Sequence, residues 1–151
     1  LHDMLRRILR NMDLSENEID ESIYDAMLLS VDVAHALHPN KKEKMDITNK
    51  PVMGKGFCIK QACSQSYATD AQAIAILCQL CDEKGIPYQR FVNRSDSRGG
   101  STLGSIAGTL LPVKTVDIGI PILAMHSACE LMGVRDMKAL SDCVTAFFGY
   151  H

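Results

Sequence analysis

Two short apolar runs in this chain each carry a single aspartate. Met27 to Val33 reads M-L-L-S-V-D-V, and Lys114 to Ile118 reads K-T-V-D-I. Runs of this length, rich in branched apolar residues, fit buried strands, and a strand buried on both faces needs helices on either side of its sheet. A carboxylate in such a strand costs several kcal/mol unless it is paired, hydrogen-bonded or bound to a metal. Asp32 and Asp117 therefore mark places where the fold must provide a partner. For Asp117 the reading is structural: hydrogen bonds from backbone or from an arginine such as Arg94, with Asp96 in a similar role.

The rest of the chain punctuates these strands. Residues 3–12 have apolar groups at helical spacing, with Arg6, Arg7 and Arg10 on the other face. Ser15 with Glu18 has the form of a capping box and opens a helix to about Ala26; Thr69 with Gln72 offers a second one, ahead of an apolar helix over Asp70 to Lys84. Gly85 closes that helix. Gly56 to Ala62 and Tyr88 to Asn93 read as strands, Ser101 to Leu110 as a helix of small residues, and Arg135 to Tyr150 as a final amphipathic helix. Leu37 to Lys55 is a loop, and its cluster Lys41, Lys42, Lys44 is offset by Glu43 and Asp46. The alternation predicts an α/β fold with a mixed, largely parallel sheet flanked by helices and no internal domain boundary.

The chain has 151 residues, 46% hydrophobic and 23% charged, with a net charge of −2, so no basic field draws nucleic acid or an anionic membrane. No stretch reaches the ~20 apolar residues of a membrane span. The six cysteines fall mostly in strand and helix interiors, where cysteine behaves as a small hydrophobe, and a reducing cytoplasm is the expected compartment. Cys78-x-x-Cys81 has metal or redox spacing but lies in a helix without a second such pair. The loop Arg94 to Gly104 has glycines and hydroxyls before a helix, yet lacks the Gly-Lys-Ser/Thr of a phosphate loop. Asn93-Arg94-Ser95 matches a glycosylation sequon, silent in a cytoplasmic chain.

Chemistry concentrates at two strand ends, the usual seat of sites in α/β sheets. Asp32 is followed by His35 and His38, a carboxylate with nearby imidazoles; a capped strand end with solvated histidines has the same letters. In V-D-I-G-I-P-I-L-A-M-H-S-A-C-E (Val116 to Glu130) the chain is expected to leave its strand at Gly119, bend at Pro121, and set His126 in an apolar neighbourhood before a short helix. His126 is then a candidate metal ligand or acid–base group, and equally a packed core histidine.

Four stretches, in this order and spacing, resemble the M18 metallopeptidases, the family of aspartyl aminopeptidase and vacuolar aminopeptidase I. They are S-V-D-V-A-H-A-L-H-P-N from Ser30, G-F-C-I-K with Y-A-T-D from Gly56 and Tyr67, R-S-D-S-R-G-G-S-T-L-G from Arg94, and the stretch from Val116 to Glu130. The resemblance runs from about residue 20 to 149. It implies a peptide-cleaving exopeptidase with two zinc ions, other divalent metals being able to substitute. Asp32 matches the carboxylate ligand of one zinc and His126 the histidine ligand of the other. His35, Lys60 and Tyr67 match substrate-contacting positions; Lys60 would suit an acidic N-terminal side chain, and a histidine near the metals could stabilise an oxyanion.

The family's other site residues are an early histidine, a bridging aspartate and a Glu-Glu pair holding the general base. None has a counterpart here, and no adjacent glutamates occur in the chain. With Leu1 at its start, the chain is expected to be the C-terminal portion of the catalytic domain, without the upstream half and the inserted β-rich domain, and inactive alone. Arg98, Gly99 and Ser105 depart from the usual family residues. The family also implies a homo-oligomer, a dodecamer. Two other classes are kept: a non-catalytic assembly module derived from this fold, and a cysteine-based metal or redox protein using Cys78 and Cys81.

Overall fold

The computed structural model describes residues 1–97 and 99–149. Helices α1 (His2–Asn11) and α2 (Glu16–Asp25) lead into strand β1 (Met27–His35); β2 (Phe57–Gln61), α3 (Ala71–Lys84), β3 (Tyr88–Val92), α4 (Leu103–Leu110), β4 (Lys114–Leu123), β5 (Leu131–Met132) and α5 (Val134–Phe148) follow. The sheet order is β1-β4-β2-β3, with β5 on β4. The pairs β1–β4 and β2–β3 are parallel, whereas β2–β4 and β4–β5 are antiparallel, so the sheet is mixed as expected. No helix among the described residues is long and apolar enough to cross a membrane.

The alternation of side chains across each strand makes the two faces of the sheet chemically different. Phe57, Ile59, Val116, Ile118 and Ile120 point to one face and pack with Ile74, Leu77 and Leu80 of α3 and Ala139, Leu140 and Cys143 of α5. Burying each such aliphatic side chain stabilises by about 1.5–3 kcal/mol. The opposite face carries Ser30, Asp32, Lys60, Asp117 and Gly119, in neighbouring register. Helix α4 lies over part of this polar face: a Cβ on Gly104 would come within 2.6 Å of the Ser30 side chain and 2.8 Å of Asp117 Oδ1. That contact explains the small residues at the start of α4.

Local signals account for most element ends. Ser15 Oγ accepts from the Glu18 N–H while Glu18 Oε2 accepts from the Ser15 N–H at 2.8 Å, the predicted capping box. Arg10 Nε meets Glu16 Oε1 at 2.7 Å and Arg6 pairs with both Glu16 and Asp20, tying α1 to α2. These guanidinium hydrogen bonds hold the Glu16 carboxyl down to about 2, so the pair persists through the ordinary carboxylate range and is lost as pH falls toward 2. Gly85 ends α3 in the left-handed conformation, φ 65°. Helix α3 is capped differently from expectation. Asp70, not Thr69, accepts from the Ala73 N–H at 2.8 Å, and Thr69 Oγ1 instead bridges the Tyr67 carbonyl and the Ala62 N–H.

Strand β4 departs most from the sequence reading. It does not stop at Ile118 or bend at Pro121 but continues to Leu123, with Ala34 opposite Pro121 and His35 opposite Ile122. The Ile122 carbonyl accepts from Ala36 N–H at 2.9 Å, on the β1 side. By alternation the Pro121 nitrogen faces away from β1, where the pairing with β2 has already ended at Gly119. The strand therefore tolerates a proline at no loss of a ladder hydrogen bond. The short helix expected just after His126 does not form; residues 124–129 turn, and β5, which local patterning does not predict, returns along β4 ahead of α5.

Candidate functional site

Strand β1 carries Asp32 and, at its C-terminal end, His35; β2, running the opposite way on the far side of β4, brings the Lys60 side chain to Asp32. Lys60 is 2% exposed. Its Nζ donates to the Val33 carbonyl at 3.2 Å and to Asp32 Oδ2 at 3.4 Å, and lies 4.9 Å from the centre of the Tyr67 ring. A buried ammonium is thus held by a carbonyl, a π face and a carboxylate. The contact to Asp32 is long and the Asp32 side chain is 49% exposed, so its carboxylate keeps lone pairs directed to solvent. Tyr67 is set in turn by Asn93, whose Nδ2 donates to its hydroxyl at 3.0 Å. Asn93 was not among the residues expected at the site; its letter in the sequence marks only a sequon.

His35 lies against Phe91, ring centres 6.5 Å apart. Desolvation there, followed by the nearby His126 and Lys60, pushes the His35 imidazolium below the usual histidine range, favouring the neutral ring. His35, His38, Lys44, Met45, Phe91 and Arg94 line an adjoining cavity of about 610 Å³.

His126 is exposed, in a turn after β4, and not in the apolar neighbourhood expected from its flanking residues. Its φ is 68° and that of Ala124 is 57°, both in the left-handed region that L residues seldom occupy. The Ser127 N–H closes this turn on the Ala124 carbonyl at 2.9 Å, and the His126 N–H donates to Glu130 Oε1 at 2.5 Å. Backbone strain of about 1–3 kcal/mol per residue persists where surrounding structure enforces it, often at functional loops. Here the turn is held by these two hydrogen bonds, immediately after β4 has kept Ile120 and Ile122 in the core.

Gly119 joins these two strand ends. It is the register partner of Asp32, and a Cβ there would lie 2.7 Å from the Val33 carbonyl carbon and 2.9 Å from the Asp32 carbonyl oxygen. Only a bare Cα lets β4 approach β1 this closely. Gly119→Ala is expected to lower the unfolding free energy by about 1–3 kcal/mol, read from urea denaturation. An unchanged midpoint would show that the strands can separate freely.

Asp117 is fully buried on the same face of the sheet, at the register position opposite Lys60. Its Oδ2 accepts from the Ala68 N–H at 2.5 Å and from Thr102 Oγ1 at 2.6 Å. Among the described residues Oδ1 has no partner. Backbone donation to Asp117 was expected, but Arg94 is not its partner: Arg94 Nε meets Asp96 Oδ1 at 2.7 Å, and a second guanidinium nitrogen donates to the Glu43 carbonyl. Arg98 lies outside the described residues. Cys78 does not face Cys81 either; its sulfur lies 3.9 Å from an Arg90 nitrogen, and Cys81 turns to Cys143. This removes the basis for a Cys78–Cys81 metal or redox pair.

The donor set bears on metal binding. Asp32 and His126 present one carboxylate and one imidazole, both accessible, at the ends of adjacent strands. Among the described residues no three histidine, cysteine, aspartate or glutamate side chains gather as a metal-binding group. These residues therefore fit part of a metal site and not a whole one.

Comparison with known proteins gives a consistent result. The family model described as Aminopeptidase I zinc metalloprotease (M18) matches residues 1–148. A probable M18 family aminopeptidase 2 of Clostridium novyi is 46% identical over 136 residues, covering 90% of this chain and 31% of that protein. A chain in the cryo-EM structure of the Ape4 and Nbr1 complex superposes with a TM-score of 0.91 at 33% identity, covering 97% of this chain and 28% of that one. The S. cerevisiae mApe1 dodecamer superposes with a TM-score of 0.75 at 25% identity, over 87% of this chain and 28% of that one. The chain thus spans about a third of the length of the curated relatives it matches.

Proposed function

The chain belongs to the M18 family of zinc metalloproteases, and on that footing we propose that it is the C-terminal portion of the catalytic domain of an aminopeptidase with a dinuclear zinc site. The observation that carries the proposal is the placement of Asp32, His35, Lys60 and Tyr67 at one strand end, with His126 at the end of the adjacent strand. Asp32 would be the carboxylate ligand of one metal and His126 the imidazole ligand of the other. Bound zinc would polarise the scissile carbonyl and lower the pKa of a bound water.

The roles of the chain's own side chains follow from their surroundings. Lys60, held rigidly from three sides, offers a fixed positive charge to an acidic N-terminal side chain. Tyr67 keeps that ammonium in place, and neutral His35 can donate one ring N–H toward a developing oxyanion. Charge recognition of this kind has a direct test. Lys60→Met in the full-length protein should reduce the preference in kcat/KM for N-terminal Asp over N-terminal Leu by about 10-fold or more, the worth of one charge-assisted hydrogen bond. A preference that survives unchanged would remove Lys60 from substrate selection.

The residues missing from this portion set its limits. With one ligand per metal and no general base, the isolated 151 residues should release no N-terminal residues from peptides and should bind zinc weakly. Robust chelator-sensitive activity from the isolated chain would overturn the assignment. The full-length protein is proposed to form a homo-oligomer, on the support of the dodecameric relative; sizing in solution is the check.

A further inference from the structure

On the apolar face of the sheet, opposite the face that carries Asp32 and Lys60, two cysteines face each other. Cys81 of α3 and Cys143 of α5 are both fully buried, and their sulfurs are 3.8 Å apart. At that separation nothing lies between the sulfurs. A disulfide needs about 2.05 Å, a further approach of roughly 1.8 Å, which rotation about the two cysteine side-chain torsions would have to supply. The other cysteines are placed differently: Cys58 is buried elsewhere, in the cluster with Tyr67 and Phe91, Cys63 and Cys129 are exposed, and Cys78 faces Arg90. The Cys81 thiol donates to the Cys143 sulfur, and this hydrogen bond favours a thiolate on Cys143.

We propose that Cys81 and Cys143 form an oxidisable dithiol that a small uncharged peroxide converts to a disulfide joining α3 to α5. The Cys143 thiolate attacks one oxygen of hydrogen peroxide, the O–O bond breaks, and hydroxide leaves and takes up the proton released from Cys143. The resulting Cys143 sulfenic acid is attacked by the Cys81 sulfur; the S–O bond breaks, and water leaves with the Cys81 proton. Two thiols and one peroxide give one disulfide and two waters, with the two electrons coming from the sulfurs. The bond closes a loop over a sequence separation of 62 residues, which contains β3, α4, β4 and the His126 turn. Cross-linking a loop of that length restricts the unfolded chain and raises stability.

The test is direct on the purified full-length protein. It is treated with graded hydrogen peroxide, its remaining thiols are alkylated under denaturing conditions, and peptides are mapped without reduction. The expected result is a Cys81–Cys143 linked peptide, with a melting temperature raised by about 5 °C or more and restored by dithiothreitol. Cys143→Ala should lose both the linked peptide and the shift. Both cysteines remaining alkylatable at doses that oxidise Cys63 and Cys129 would overturn the proposal. So would sulfinic acid at either position without a link, or either cysteine linking mainly to another partner. Peptide mapping of the unsubstituted protein decides the matter even where a variant fails to fold, and none of these outcomes bears on the peptidase assignment.

Discussion

Asp32→Ala and His126→Ala should each abolish aminopeptidase turnover in the full-length protein. The expected loss exceeds about 100-fold in kcat/KM, because residues that merely orient a metal ligand are commonly worth 10–100-fold. The two variants should separate from a folding defect. Asp32 is 49% exposed with one long contact to Lys60, and His126 lies in an exposed turn, so neither removal opens the core. His126→Ala should melt within a few degrees of the unsubstituted protein, whereas Asp32→Ala deprives the buried Lys60 ammonium of its carboxylate and should melt lower; zinc content should fall in both. Near-normal turnover in either variant would remove that residue from the metal site. For Asp32 there is a second consequence: its loss leaves Lys60 with the Val33 carbonyl and the Tyr67 ring, so added zinc should not restore activity.

The second large effect is on stability. Asp117→Ala should cost about 3–5 kcal/mol, since two buried hydrogen bonds to a carboxylate are lost and the Ala68 N–H and Thr102 hydroxyl are left unpaired. At this chain length, that is a fall in melting temperature of roughly 10 °C or more. Asp117→Asn should cost less, because an amide oxygen can still accept from both donors. Equal, small losses in both variants would mean that water replaces the carboxylate and that Asp117 holds nothing together. The same logic applies to Asp136 in α5, whose two carboxylate oxygens accept from the Gly54 and Gly56 N–H groups at 2.6 and 2.7 Å.

Periodicity and cap chemistry located most elements because these signals are local. Ser15 and Glu18 cap α2, Gly85 ends α3, and the apolar runs became β1 and β4. Local patterns mislead where a distant strand or turn claims the residue. Pro121 reads as a bend, yet it lies in β4 because its nitrogen faces a side with no partner to lose. Thr69 reads as a cap, yet its hydroxyl serves the Tyr67–Ala62 turn, and Asp70 caps α3.

The amino-acid order alone specified the family, the α/β class and the residue types available for chemistry: an aspartate ending an apolar run, a lysine in a second strand, a histidine after a third. Those follow from short-range rules and motif spacing. Which of these groups meet was settled by long-range pairing. The register of β1 on β4 sets Asp32 beside Gly119, and β2 brings Lys60 to Asp32 from a sequence separation of 28 residues. The facing of Cys81 and Cys143 likewise depends on how α3 and α5 share one face of the sheet. Spacing along a chain constrains what a segment can form, but side-chain contacts between segments depend on strand order and facing, which no local pattern encodes.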